Sequence, residues 1–217
     1  MAREIETKCI HLEETEGALN HFGAMAYPIY QSATYAHPGV GQSTGYDYSR
    51  LQNPTREHLE KTVASLENGI DALAFSSGMA AITLMMELFK PGDHLIVDAD
   101  LYGGSIRLFN HVSEKNGIEF SSVDCHKENV AAYIRENTKA VYIETPTNPM
   151  MNVTDIKALA EITKKHNILL IVDNTFLSPY FQNPLNLGVD IVVHSGTKYL
   201  GGHNDTLAGF LVTNRYQ

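Results

Sequence analysis

The chain has 217 residues, a formal net charge of −9 with histidine neutral, and 43% hydrophobic residues. That apolar share can build a core and sets disorder aside, while the acidic balance argues against a nucleic-acid partner, which normally requires a basic patch. The two cysteines, Cys9 and Cys125, form no CxxC pair, so neither a disulfide framework nor a cysteine-built metal site is expected.

The first residues, "MAREIETKCIHLEETEG", are charged and lack the apolar stretch of a signal peptide. No apolar run reaches the length that spans a bilayer. A cytoplasmic chain with no membrane partner is the expectation. Residues 1–47 read as an arm, whose segment "GAMAYPIYQSATYAHPGVGQSTGYDY" is rich in Tyr, Gly, Ser and Pro, shows no helical period and reads as extended. Tyr27, Tyr30, Tyr35, Tyr46 and Tyr48 offer apolar area with polar tips, which suits packing at a subunit interface.

Residues 48–217 alternate helices and strands. Asn53 and Pro54 fit the N-cap and first position of a helix that carries Leu59, Val63 and Leu66 on one face and stops at "ENG". "DALAFSS" predicts a strand, "GMAAITLMMELF" a helix and "HLIVDA" a second strand. A helix through Ile106, Phe109 and Val112 follows, then the strand "EFSSVD", a helix over "NVAAYIREN" and the strand "AVYIET". Thr154 is placed to cap a helix from Asp155 to about Lys165, whose basic last turn suits the helix dipole. "ILLIVDN", "DIVVHSG" and "AGFLVT" complete seven strands. Runs such as "LLIVD" are apolar throughout rather than alternating, as in a parallel sheet covered on both faces. The fold class is therefore α/β: a mostly parallel seven-stranded sheet with helices on both faces.

Ligands in such sheets sit beyond the carboxyl ends of the strands. Those ends read "SSGM", "DLYGG", "TPTNP", "DNT" and "HSGTK". At "SSGM" the amides of Gly78 and Met79 open a helix and could hold a phosphate, or the segment is simply a tight turn. Tyr102 could stack on a planar cofactor, or be a half-buried loop tyrosine. Asp173 follows the most apolar strand and needs a partner, which could be a cation, a helix N-terminus or a protonated ring nitrogen, or the residue is purely structural. In "SGTK", Ser195 and Thr197 could bind a phosphate beside a nucleophilic Lys198; taken alone, a lysine at a strand end is more often a solvated charge. Taken together, a phosphate cradle, an aromatic lid, a buried carboxylate and a lysine meet the needs of pyridoxal 5′-phosphate. No GxGxxG follows the first strand, which argues against a dinucleotide enzyme. His194 reads as structural, His203 as lining a site entrance, and no histidine pair has the spacing of a metal site.

"SGTKYLGGHNDTLAGFLV", with "IVDNTF", "ETPTNP", "FSSGMAA" and "DLYGG", resembles the Cys/Met-metabolism pyridoxal-phosphate enzymes from the arm to the end of the chain. The resemblance implies a fold type I, aspartate-aminotransferase-like cofactor domain over residues 48–217. It implies Lys198 holding the cofactor as a Schiff base and acting as general base and acid. Asp173 would pair with the pyridine nitrogen and Tyr102 would stack on the ring and assist catalysis. The Gly78 and Met79 amides and the Ser195 and Thr197 hydroxyls would bind phosphate. Asn148 would lie near the ring hydroxyl or the substrate carboxylate. "YDYSR" resembles a family motif whose tyrosine and arginine, here Tyr48 and Arg50, bind phosphate in the neighbouring subunit. A homo-oligomer, a tetramer built from such dimers, is thus implied, with amino acids as substrates and no metal.

Methionine γ-lyases of the family carry a cysteine two residues after the stacking tyrosine, where this chain has Gly104. "GVGQSTGYDYSRLQNPTR" and "KYLGGHND" look most like bacterial cystathionine γ-synthase/O-acetylhomoserine thiolyase sequences. The implied reaction is γ-replacement on O-acyl-L-homoserine by L-cysteine, giving L-cystathionine in methionine biosynthesis. One alternative is a cystathionine β-lyase, giving homocysteine, pyruvate and ammonia. Family members also carry a C-terminal α/β domain with an arginine for the substrate carboxylate. The chain ends at "LVTNRYQ" without it, so a non-catalytic truncated fragment is the other alternative.

Overall fold

Asn53 starts the first long helix as its sequence predicts: its side chain accepts a hydrogen bond from the Thr55 amide, and Pro54 takes the first helical position. The computed structural model describes residues 4–11, 24 and 26–214. Helix α1 is Ile5–Lys8 and α2 is Pro54–Glu67, closed by Asn68 in the left-handed conformation at φ 58°. Then come β1 (Asp71–Phe75), α3 (Gly78–Met86), β2 (His94–Asp98) and α4 (Gly103–Leu108), which continues as a π-helical turn over Phe109–Ser113. The rest is β3 (Glu119–Val123), β4 (Thr138–Glu144), α5 (Ile156–His166), β5 (Leu169–Asp173), α6 (Ser178–Phe181), β6 (Ile191–Ser195) and β7 (Gly209–Thr213).

The seven strands form one sheet in the order β1-β7-β6-β5-β4-β2-β3. All neighbours run parallel except β7, which is antiparallel to both β1 and β6. This is the expected mostly parallel α/β sheet. Alternate strand residues feed two cores. Val141, Ile143, Leu170, Val172 and Val192 pack beneath α2 and α5, with Val63, Leu159 and Ala160. Tyr142, Ile171, Val193, Leu95 and Val97 pack beneath α3 and the π turn, with Ile82, Met85 and Phe109. Every residue of β2 is buried, as are the last four of β5, so both faces are closed to water. Each such Leu, Ile or Val side chain adds roughly 1.5–3 kcal/mol on burial.

Two local expectations change. The cap of α5 is Asp155, whose carboxylate accepts from the Ala158 amide at 3.0 Å, and Thr154 is buried just outside. Asp and Thr both suit the position, but the carboxylate also complements the helix dipole. "NVAAYIREN" yields only a 3-10 turn, Val130–Tyr133. A competing turn ends it: the Arg135 amide donates to Thr138 Oγ1 at 2.7 Å, and the Thr138 amide donates back to Arg135 O at 3.0 Å.

Residues 26–53 form no helix or strand beyond the isolated bridges Thr34–Tyr48 and Gly39–Gln42. They lie against the start of α2. Asn53 Nδ2 donates to Tyr30 O at 3.1 Å, Arg56 to Leu51 O at 2.5 Å, and Tyr27 stacks on His58 at 3.8 Å between ring centroids. Residues 1–3, 12–23 and 25 of the expected arm lie outside the described residues, as do residues 215–217.

Candidate functional site

Segments with small or glycine residues meet where β1 and β6 end and β7 begins. In register, Gly209 faces both Phe75 of β1 and Ser195 of β6. A side chain on Gly209 would place its Cβ 2.0 Å from Ser77 O, and one on Gly78 would place it 2.8 Å from Ser195 Cβ. Glycine at both positions lets the start of α3 come down onto the end of β6. Ser77 caps that helix, accepting from the Ala80 amide at 3.1 Å. Its next amides, Gly78 and Met79, open onto a cleft of about 640 Å³.

The cleft brings together eight of the residues singled out in the sequence: Gly78, Met79, Tyr102, Asn148, Asp173, Ser195, Thr197 and Lys198. Lys198 follows β6 in a turn, its amide donating to Ser195 O at 3.2 Å, and its side chain is exposed into the cleft. Thr197 Oγ1 exchanges hydrogen bonds with the Ala208 main chain at 3.2–3.3 Å. Asp173 is 7% exposed at the end of β5. Its Oδ1 accepts from the Thr175 amide at 3.0 Å and the Thr175 hydroxyl at 2.5 Å, and its Oδ2 from Tyr142 at 3.4 Å. Burial raises the Asp173 carboxyl pKa, against the pull of the Thr175 bonds and of His194.

Tyr48 and Arg50 are not brought there. The Arg50 guanidinium lies 5.1 Å over the Tyr48 ring, and neither residue lines the cleft. His203 also stays outside, bonded to Gly201 O at 2.9 Å, while Gly202 and Asn204 line the entrance. His194 faces away from the cleft: its Nε2 is 2.5 Å from Glu67 Oε1 in a fully buried pair joined by Asn174 at 2.8 Å. Among the described residues no group of three His, Cys, Asp or Glu is placed to hold a metal. No described helix is long and apolar enough to cross a membrane.

Sequence reasoning passed over Thr175, Phe176, Tyr199 and Glu144, all of which line the cleft. Thr175 links strands, since its hydroxyl also accepts from the Ser195 amide at 2.8 Å. Glu144 stands directly beside Asp173 in the β4–β5 register. Its Oε2 accepts from the Tyr102 amide at 2.8 Å. Burial, with Asp173 alongside, pushes its carboxyl pKa up to about 8. The "ETP" run gives no hint of this, because the neighbour across the strand is set by register.

The donor set fits pyridoxal 5′-phosphate on structural grounds. The glycine-lined start of α3 is a cradle that any Cβ would fill, and it offers amides to an anion. Asp173 is a buried carboxylate with hydroxyl and amide donors, and among the described residues no cation but Lys198 lines the cleft. A protonated ring nitrogen would satisfy it.

The two raised carboxyl groups give a prediction for the chain without cofactor. A carboxyl whose pKa is higher folded than unfolded stabilises the fold while protonated in both states. That contribution fades as pH rises from the ordinary 4.5 through about 8 for Glu144. The melting temperature should therefore fall between about pH 4.5 and about pH 8 and level off above that, the full shift of Glu144 costing on the order of a few kcal/mol. Glu144→Gln should flatten the decline. Melting curves across this range check it.

The sequence model of the family described as "Cys/Met metabolism PLP-dependent enzyme" matches residues 6–217. A Bacillus subtilis protein named cystathionine gamma-synthase/O-acetylhomoserine (thiol)-lyase is 53% identical over 98% of this chain and 57% of its own length. A cystathionine beta-lyase of Lactococcus lactis subsp. cremoris is 51% identical over 88% of this chain and 51% of its own length. The crystal structure of cystathionine gamma-lyase from Lactobacillus plantarum, complexed with L-serine, superposes with a TM-score of 0.93 at 47% identity, covering 98% of this chain and 55% of that one. The chain thus spans about half the length of the relatives it matches.

Proposed function

We propose a trans-sulfuration reaction for this chain, which belongs to the Cys/Met metabolism PLP-dependent enzyme family: γ-replacement on O-acyl-L-homoserine by L-cysteine, giving L-cystathionine. The observation that carries the reading is the convergence of Lys198, Asp173, Tyr102 and the α3 amides on one cleft. The γ-synthase choice draws on the 53% identical relative of that name. The cofactor, bound, supplies electron withdrawal from the substrate's Cα.

The chain's own residues then have separable tasks. The Gly78 and Met79 amides, with Ser195 and Thr197, would receive the phosphate. Tyr102 would lie against the ring and Asn148 at its edge. Asp173 would hold a proton on the ring nitrogen by charge. Lys198 Nζ would anchor the cofactor and, once released by substrate, carry protons from Cα and to and from Cβ as general base and acid. The acyl group leaves Cγ as its carboxylate and the cysteine sulfur bonds there, its proton passing to a base.

Among the described residues Lys198 is the one cationic side chain lining this cleft, and its amine would be committed to the cofactor. A phosphate dianion needs a further cation. The Tyr48–Arg50 pair lies outside this chain's own cleft, with Tyr48 40% exposed, which suits delivery to the cleft of a second copy. The arm of residues 1–47 would serve that interface and residues 48–217 the cofactor.

A β-lyase is the second reading, favoured by the 51% identical relative of that name. One pair of assays separates the two. With pyridoxal 5′-phosphate, O-acetylhomoserine and cysteine should give cystathionine and acetate. Cystathionine alone should give no pyruvate. Pyruvate and ammonia from cystathionine, with no replacement product, would establish the lyase, and turnover in neither assay by cofactor-loaded protein would sink both.

A further inference from the structure

We infer that Glu144 is the positioning residue of this cleft: its side chain joins the Tyr102 loop to the Asn148 loop and so fixes the wall against which a planar cofactor lies. The inference rests on the cofactor reading above.

Glu144 is the last residue of β4 and is 5% exposed. Its Oε2 takes the Tyr102 amide at 2.8 Å, and the Asn148 amide, four residues on, favours the charged form of the same carboxyl. Tyr102 is the N-cap of α4 and offers no side-chain cap of its own. A carboxyl group from the neighbouring strand therefore serves one of the free amides at that helix start. Asn148 belongs to the loop that leaves β4, so one side chain ties two segments more than forty positions apart in sequence.

The same two loops are joined again farther out. Asp100 Oδ2 accepts from Thr147 Oγ1 at 2.5 Å and Asn152 Nδ2 at 3.1 Å. The Thr147 loop is closed on itself, its amide donating to Asn152 O at 3.0 Å and its hydroxyl accepting from the Asn152 amide at 3.0 Å. Asp100 thus braces the outer ends and Glu144 the inner ends, where Tyr102 and Asn148 meet the cleft.

The Tyr102 ring itself is held from behind only by close approach. A Cβ at Gly104 would fall 2.3 Å from Tyr102 Cε1 and 2.9 Å from Met79 Sδ. The ring lies over its own helix start, and 47% of the residue is exposed. Its main chain must therefore be fixed for the ring to present one face. Glu144 supplies that, and Asp173 beside it in register disfavours a second full charge, so a neutral group of the same shape suits the position.

The test uses the whole chain at about pH 7 with Glu144→Gln, Tyr102→Ala and their combination, each read by melting temperature, by titration with pyridoxal 5′-phosphate, and by circular dichroism of the visible band of bound cofactor. Gln keeps the shape and one acceptor but sets an NH₂ against the second amide. Binding should weaken roughly three- to tenfold, the loss of about one hydrogen bond. The visible dichroism should fall toward that of Tyr102→Ala, with the apo melting temperature level or higher, since the buried carboxyl's cost is removed. In the combined variant Glu144→Gln should add nothing, because both changes act through one ring. Unchanged affinity and dichroism, or additive losses, would overturn the inference. Should Glu144→Gln fail to fold, Glu144→Asp, which withdraws the carboxyl by one methylene, decides by the same readouts. A chain that takes up no cofactor overturns the cofactor reading and this inference together. A chain that binds it, loses the visible band on Lys198→Ala and ignores Glu144→Gln overturns this inference alone.

Discussion

Lys198→Ala is expected to lower turnover at least a thousandfold with pyridoxal 5′-phosphate in excess, and to remove the visible absorption of the protein-bound cofactor. Two losses add here. The amine proposed to anchor the cofactor is gone, and so is the proposed base for protons at Cα and Cβ, a task worth about 10²–10⁴ by itself. The fold should not suffer: the Lys198 side chain is exposed, and the turn that carries it is held by main-chain bonds from its amide to Ser195 O and from the Gly202 amide to its carbonyl. Spectra and turnover of cofactor-treated protein, beside an unchanged melting temperature, check the result. Full turnover in Lys198→Ala would reassign the cleft.

Much of the site is written at strand ends, where one residue's chemistry and its place after an apolar run can be read together. Asp173 after "LLIV", Lys198 after "IVVHSGT" and Gly78 before "MAAITL" all fall in the cleft for this reason. The sheet is legible on the same ground, since runs buried on both faces have few alternatives to a central parallel strand. What depends on pairing is not legible. Glu144 becomes a site residue only because the β4–β5 register sets it beside Asp173, and nothing in "ETPTNP" states that register. Thr175 matters through a bond to Ser195 twenty positions away. His194, with "VVHSG" on either side, could face either way, and only the approach of Glu67 at the end of α2 shows that it belongs to the opposite core. Local competition hides the rest: Thr154 and Asp155 are both good caps, and the Arg135–Thr138 turn cuts short a helix that propensity alone favours over "NVAAYIREN".

Asp173→Asn should separate activity from stability. In the chain without cofactor the carboxylate is buried at the end of β5 with Glu144 beside it, and burial raises its pKa against the pull of the Thr175 bonds and of His194. Asparagine keeps the Oδ1 acceptor for the Thr175 amide and hydroxyl and removes the burden of a buried charge next to another carboxyl. The apo melting temperature should therefore stay level or rise. Glu144, relieved of that neighbour, should also titrate lower, which would shift the pH-dependent decline of stability toward acid. Turnover should move the other way. A neutral amide cannot hold a proton on the ring nitrogen, and the electron withdrawal that labilises Cα weakens with it. Removing one aimed charge from a closed site costs about 3–4 kcal/mol, or roughly 10²–10³ in rate. Asp173→Glu tests whether charge alone suffices. It restores the carboxylate but lengthens the side chain against Tyr142 and Thr175, so it should recover only part of the rate and lose stability. Wild-type turnover in Asp173→Asn would mean that the carboxylate is structural and that the cleft holds its ligand in another way.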